Sequence, residues 1–342
     1  MCPKPNPPER FILSPDPTPA IEVDDLSVTF QRREGGMAAV SNASFSLARG
    51  EVLTILGESG SGKSVTLKAM MGLLPGYAKV TGAVRVEGRD ILTLLPRELA
   101  RARGGSLSMI FQEPMAALDP VYTIGAQIAE TIVQHEGISY QAATKRALEL
   151  LERVSIPSAA QRLKNYPHEM SGGMRQRAMI ALALSCNPTV LLADEPTTAL
   201  DVTVQIQILL LLRQLQQELG MSVIFVTHDV GVAAEISDRI AVMYAGRFVE
   251  TGTVRQIMRA PRHPYTKGLL TSTVHGGLRG RRLETIPGSP PSLSMLPPGC
   301  AFAPRCALAD EACDRAQPPL VQLSPGTSVR CLKAEQQEFA SS

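Results

Sequence analysis

Gly57-Glu58-Ser59-Gly60-Ser61-Gly62-Lys63-Ser64 is the stretch on which the fold turns. It fits the pattern G-x-x-x-x-G-K-[ST], follows the β-rich run Val52-Leu53-Thr54-Ile55-Leu56 and opens a helical pattern from Lys63 to Met71. A strand before and a helix after is the setting in which such a loop cradles phosphate. Gly57, Gly60 and Gly62, with Ser59 among them, let successive backbone N–H groups turn inward as an anion nest, and the helix start adds the positive end of its dipole. Lys63 is then placed to reach β- and γ-phosphates, and the Ser64 hydroxyl to hold Mg²⁺.

The alternation continues outward from this loop. Val190-Leu191-Leu192-Ala193 and Val223-Ile224-Phe225-Val226 are continuous apolar runs, the mark of strands buried on both faces of a parallel sheet. Val204 to Leu219, between them, is long enough for a crossover helix, so the chain reads as α/β. The first run ends in Asp194-Glu195. A carboxylate at the end of a strand beside the phosphate-loop strand is placed to hold Mg²⁺, and Glu195 to polarise a water. Loop and acid pair together make this a P-loop nucleoside triphosphatase. Two stretches break the rhythm. Ile21 to Leu47 and Gly82 to Gly88 read as short strands of an antiparallel piece leaning on the sheet. Ile124 to Ala183 shows only helical patterning, which places a helical subdomain at about 115–185.

Composition narrows the function. With 34 Lys+Arg against 32 Asp+Glu the chain lacks the basic field that nucleic-acid binding needs. The uncharged stretch Ala178 to Ala193 spans 16 residues, short of the about 20 a membrane helix requires, and Thr285 to Pro304 carries six prolines. No membrane span is expected. Residues 1–20 hold seven prolines and read as a disordered tail and not as a signal peptide, so a cytoplasmic chain with reduced thiols is expected. Cys2 and Cys186 read as incidental. After Arg259, prolines and glycines dominate to about Pro325, the sign of a separate, loop-rich C-terminal module.

Further motifs carry a resemblance. Ser171-Gly172-Gly173-Met174-Arg175-Gln176 resembles the signature of ATP-binding cassette (ABC) ATPases, and the rest of that family's set follows in order. Gln112, in Phe111-Gln112-Glu113-Pro114, resembles the Q-loop; Ala199-Leu200-Asp201 resembles the D-loop; His228 resembles the switch histidine; Phe30 stands where the family keeps an aromatic against adenine. The resemblance covers about Ile21 to Met258. It implies ATP and Mg²⁺, with Ser64, Gln112 and Asp194 around the metal. It also implies Glu195 as general base, with His228 and Gln112 at the γ-phosphate. A serine and two glycines at a helix start form a second anion site, which serves one triphosphate only if the two sites come from different subunits. The family's arrangement is a head-to-tail dimer, and Asp201 would lie at its seam.

A narrower resemblance covers almost the whole chain. The stretches above, with Thr197 to Gln205 and His263-Pro264-Tyr265-Thr266, look like the ATPase subunits of dipeptide, oligopeptide and nickel importers. Those subunits end in an extension holding a Gly-Cys-x-Phe-x-x-Arg-Cys segment, here Gly299 to Cys306. The implied organisation is an ATPase domain at 21–262 and a C-terminal extension at 263–335. Cys300, Cys306, Cys313 and Cys331 lack the paired C-x2-C knuckles of zinc ribbons. Some members of the branch hold a 4Fe–4S cluster at such cysteines, so a structural cluster is expected here, with zinc or free thiols as the alternatives. The implied partners are a second ATPase subunit, two transmembrane permease subunits and, indirectly, an extracytoplasmic binding protein, on the cytoplasmic face of the membrane. Peptides are the expected cargo, with nickel, glutathione or opines as alternatives. A soluble ABC ATPase acting on nucleic acid or ribosomes is the rival; a single cassette with no coiled-coil insertion speaks against it.

Overall fold

The computed structural model describes residues 18–32, 35–198, 200–272, 285–324 and 326–334. The proline-rich tail up to residue 17, Ala199 and parts of the C-terminal extension lie outside them.

Strands β1 (Ile21–Arg32) and β2 (Gly35–Leu47) form a long antiparallel pair that leads into β3 (Val52–Leu56). Helix α1 (Lys63–Met70) follows the phosphate loop. The chain then returns through β4 (Ala78–Val86) and β5 (Arg89–Asp90), which complete a four-stranded sheet in the order β2-β1-β4-β5. After α2 (Pro96–Ala102) and β6 (Leu107–Ile110) comes a lobe of helices: α3 (Pro114–Ala117), α4 (Ile124–Glu136), α5 (Tyr140–Arg153), α6 (Ala159–Arg162) and α7 (Gly172–Ala183). Then β7 (Val190–Asp194), α8 (Val202–Leu219), β8 (Ser222–Thr227), α9 (Val230–Ile236), β9 (Arg239–Tyr244) and β10 (Arg247–Thr253) finish the main sheet's central part. Helix α10 (Val254–Arg259) follows β10, and the extension adds α11 (Pro264–Ser272), α12 (Glu311–Arg315), β11 (Val321–Ser324) and β12 (Thr327–Val329).

The main sheet runs β11-β12-β10-β9-β3-β8-β7-β6, with β9, β3, β8, β7 and β6 parallel. Its apolar runs are buried along their whole length. Val190 and Leu192 of β7 pack with α1 and the antiparallel sheet, whereas Leu191 and Ala193 pack with the helical lobe and α8. Two faces, each with its own core, explain why these strands carry no polar alternation.

Two expectations are corrected. The strand bearing Asp194 does not lie beside the phosphate-loop strand, because β8 sits between β3 and β7. The extension is not a loop-rich unit standing apart. Its strand β12 pairs with β10 through Glu250↔Val329 and Thr251↔Ser328, extending the cassette's own sheet. Tyr265, Leu269 and Phe302 share a core with Leu56, Val242 and Tyr244, so the apolar surface that the extension lacks by itself is supplied by the strands it covers. Among the described residues no helix is long and apolar enough to cross a membrane.

Candidate active site

The phosphate loop is shaped by what crowds it. A Cβ on Gly57 would lie 2.3 Å from the Met243 carbonyl oxygen of β9, so only glycine fits there, and Gly62 caps α1 at φ 105°, in the left-handed region that glycine tolerates. Lys63 arches back over the loop and donates from Nζ to the carbonyls of Gly57 (2.7 Å) and Glu58 (3.0 Å). Its ammonium also stands 3.8 Å from Glu195 Oε1. Burial pulls the Lys63 pKa down, opposed by the charges of Glu195, Asp194 and Glu58.

Asp194 lies two strands away from the loop strand, yet the first turn of α1 bridges the gap: Ser64 Oγ donates to Asp194 Oδ1 at 2.7 Å. Burial raises the Asp194 carboxyl's pKa and the Ser64 hydrogen bond opposes the rise. The next residue, Glu195, adopts φ 44°, uncommon for a side chain with a Cβ. This turn carries its carboxylate off the strand direction, where Oε1 sits 3.3 Å from His228 Nδ1 and Oε2 accepts from Thr198 Oγ1 at 3.0 Å. His228 follows the end of β8 and is largely exposed. Strained backbone at such a spot is a device for aiming one group at another.

One cavity of about 780 Å³ gathers these groups. Phe30, Ser59, Gly60, Gly62, Lys63, Ser64, Gln112, Glu195 and His228 all line it. It offers backbone N–H groups, the Lys63 ammonium, oxygen donors from Ser64, itself bonded to Asp194, and from Gln112, and the aromatic ring of Phe30, whose centroid lies 6.0 Å from that of Tyr77. A magnesium ion prefers such a sparse set of oxygen donors, completed by phosphate and water. The remaining expected residues stand elsewhere. Ser171, Gly172, Gly173 and Asp201 do not line this cavity. Ser171 caps α7 by accepting from the Met174 N–H, Asp201 caps α8 by accepting from the Val204 N–H, and Gly173 presses against Val204. Ser171, Gly172 and Asp201 form an exposed ridge of their own.

Sequence reading missed part of the wall. Leu269, Pro290 and Leu293 of the extension line the same cavity, and Tyr265 and Arg305 touch the phosphate loop itself. The His263-Pro264-Tyr265-Thr266 motif was the available signal, but nothing in the linear order ties it to residues two hundred positions earlier.

The four extension cysteines are free, and Cys300, Cys306, Cys313 and Cys331 line one small cavity beneath Phe302. Backbone N–H groups of Phe302 and Ala303 face the Cys300 sulfur, those of Leu308 and Ala309 face Cys306, and that of Lys333 faces Cys331 at 3.4 Å. Burial raises all three thiols, Cys331 to about 11. Among the described residues no three His, Cys, Asp or Glu side chains are gathered closely enough to hold a single metal ion.

A phosphate loop after one parallel strand, an acid pair at the end of another and a helical lobe between them in the chain define the class of the ATP-binding cassettes. Family comparisons agree: the ABC transporter model matches residues 40–198, and that of the oligopeptide/dipeptide transporter C-terminal region matches 249–313. The chain belongs to the ABC transporter ATPases, in their oligopeptide/dipeptide branch. It is 49% identical to the oligopeptide transport ATP-binding protein OppD of Salmonella typhimurium over 320 residues, covering 93% of this chain and 95% of that one. It is 48% identical to the dipeptide transport ATP-binding protein DppD of Bacillus subtilis over 318 residues, covering 92% and 95%. Among solved structures, a dimeric post-hydrolysis ATP-binding cassette bound to ADP and Pi superposes with a TM-score of 0.62 at 31% identity, covering 69% of this chain and 99% of that one.

Proposed function

We propose that this chain is the ATP-hydrolysing subunit of a peptide importer, working at the cytoplasmic face of the membrane against two permease subunits. The observation that carries the reading is the single cavity in which Lys63, Ser64, Gln112, Glu195 and His228 meet. The phosphate loop and Lys63 bind the β- and γ-phosphates, while Ser64, Asp194 and Gln112 hold Mg²⁺. When bound, Mg²⁺ draws charge off the phosphate oxygens. Glu195 takes a proton from the attacking water as the water oxygen bonds to the γ-phosphorus and the bond to the β–γ bridging oxygen breaks. His228, 3.3 Å from Glu195 Oε1, holds that carboxylate in line and faces the γ-phosphate. The exposed Ser171 ridge serves the ATP of a second cassette, head to tail, since it cannot serve its own cavity. The match to a dimeric cassette supports this.

The four thiols of the extension hold a 4Fe–4S cluster in this reading. Support comes from an all-thiol donor set around one cavity and from the backbone N–H groups aimed at three of the sulfurs, the hydrogen bonding that tunes such clusters. Its place is structural.

The test of the engine is Glu195→Gln. It keeps MgATP affinity, loses turnover by about a hundredfold or more, and accumulates as an ATP-bound dimer in size-exclusion chromatography. Hydrolysis within a few-fold of the unaltered protein would remove Glu195 from the role of base. A strain carrying only the Gln form should lose uptake of labelled di- and oligopeptides; unimpaired peptide uptake would reassign the cargo.

A further inference from the structure

The phosphate loop is gripped from outside by the C-terminal extension. Arg305 sits in the short turn between Cys300 and Cys306, with its side chain 4% exposed. Its guanidinium meets the Glu58 carboxylate as a fork, Nη1 to Oε2 at 2.7 Å and Nη2 to Oε1 at 3.1 Å. Two further donors are used: Nε donates to the Pro287 carbonyl at 2.8 Å, and Nη1 also reaches Tyr244 Oη at 3.3 Å. The guanidinium carbon lies 5.9 Å from the ring centroids of both Tyr244 and Phe302. A second contact comes from α11, where Tyr265 Oη accepts the backbone N–H of Glu58 at 2.9 Å. Glu58 is thus held by its side chain and by its backbone, both from residues more than two hundred positions away.

Glu58 is not a passive attachment point. Its carbonyl accepts from Lys63 Nζ at 3.0 Å and from the Ser61 N–H at 3.2 Å, so fixing this peptide fixes the turn that presents the loop's N–H groups. We propose that Arg305, assisted by Tyr265, is a positioning residue of the nucleotide site: the extension pre-forms the phosphate loop so that ATP enters a cradle already ordered. The proposal rests on the reading of this loop as the ATP site. Its consequence for binding is arithmetic. Apparent affinity scales with the fraction of molecules whose loop is competent, so a tenfold fall in that fraction weakens binding tenfold. Once nucleotide is bound, its phosphates hold the loop, and the chemical step is little changed. An arginine that merely pinned the extension would lower stability without separating KM from kcat.

The test uses the full-length protein and measures MgATP affinity by equilibrium binding, together with steady-state KM and kcat. Arg305→Gln and Glu58→Gln should each weaken binding and raise KM by about tenfold, with kcat within twofold. Arg305→Lys keeps the charge but not the fork and should recover part of the loss. The double variant Glu58→Gln/Arg305→Gln should bind no worse than the weaker single variant, because both singles remove one interaction. Unchanged affinity in the single variants, an additive double variant near a hundredfold, or a fall in kcat at constant KM would each overturn the proposal. If Arg305→Gln does not fold, Glu58→Gln alone gives the affinity readout. Lys63→Ala separates the two layers: it must lose MgATP binding, and if it does not, the assignment of the loop as the ATP site fails whatever Arg305 does.

Discussion

His263 shows how a residue known only from a motif acquires a physical role. Wholly buried, it donates its backbone N–H to Glu250 Oε2 at 2.9 Å and accepts the Tyr265 N–H on its ring Nδ1 at 3.0 Å, which starts α11 and aims Tyr265 at the phosphate loop. Burial drags its pKa from 6.5 to about 3. The folded protein keeps the ring neutral, while the unfolded chain takes up a proton below pH 6.5. The stability involved is therefore complete above that pH and is lost as pH falls toward 3, about 2 kcal/mol of it between pH 6.5 and 5. His263→Asn offers an acceptor that does not titrate, so its melting midpoint should fall less between pH 7 and 5 than that of the unaltered protein. Equal falls would place the pH dependence elsewhere. At this scale the sequence was legible where chemistry is local. Lys63, Ser64, Asp194 and Glu195, which the structure brings together, could be singled out from their neighbours in the chain, whereas Tyr265 and Arg305 touch a loop far upstream and carry no local sign of it.

Elements were legible in proportion to how fully they are buried on two faces. β3, β7 and β8 announce themselves as unbroken apolar runs because both cores press on them. β12 is three residues long, and besides its neighbour β11 it pairs with a strand some eighty residues earlier, so no periodicity could reveal its place in the main sheet. The helical lobe was visible from its spacing, but the order of strands was not: adjacency of β8 to both β3 and β7 is a property of crossover connections, which leave no trace in composition. A prediction belongs here. The loop after β3 is wedged against β9, and β9 is hydrogen-bonded to β3 on one side and β10 on the other, so its Met243 carbonyl cannot retreat. Gly57→Ala should therefore cost about 1–3 kcal/mol in denaturant unfolding, the usual penalty of overpacking. A wild-type midpoint would mean that the two strands part more easily than their ladder implies.

At the scale of the molecule, cassette and extension share a sheet, a core and one wall of the nucleotide cavity. Cys300 and Cys306, two of the four cysteines that line the thiol cavity, flank the turn that carries Arg305. Protein purified without oxygen should be brown and carry about four iron atoms per chain, the content of one 4Fe–4S cluster. Colourless, iron-free protein would leave the cysteines as thiols. The bridge between Glu58 and Arg305 spans 247 positions of sequence, and that separation has a meaning in time. A ribosome adding about 5–20 residues per second delivers the partner of Glu58 only about 12–50 s after making it. Throughout that interval the nascent cassette has its phosphate loop but not the residue that steadies it. Competence for ATP is thereby tied to synthesis having passed Arg305, and a chain cut short ahead of that residue would be born with a weakened grip on its fuel.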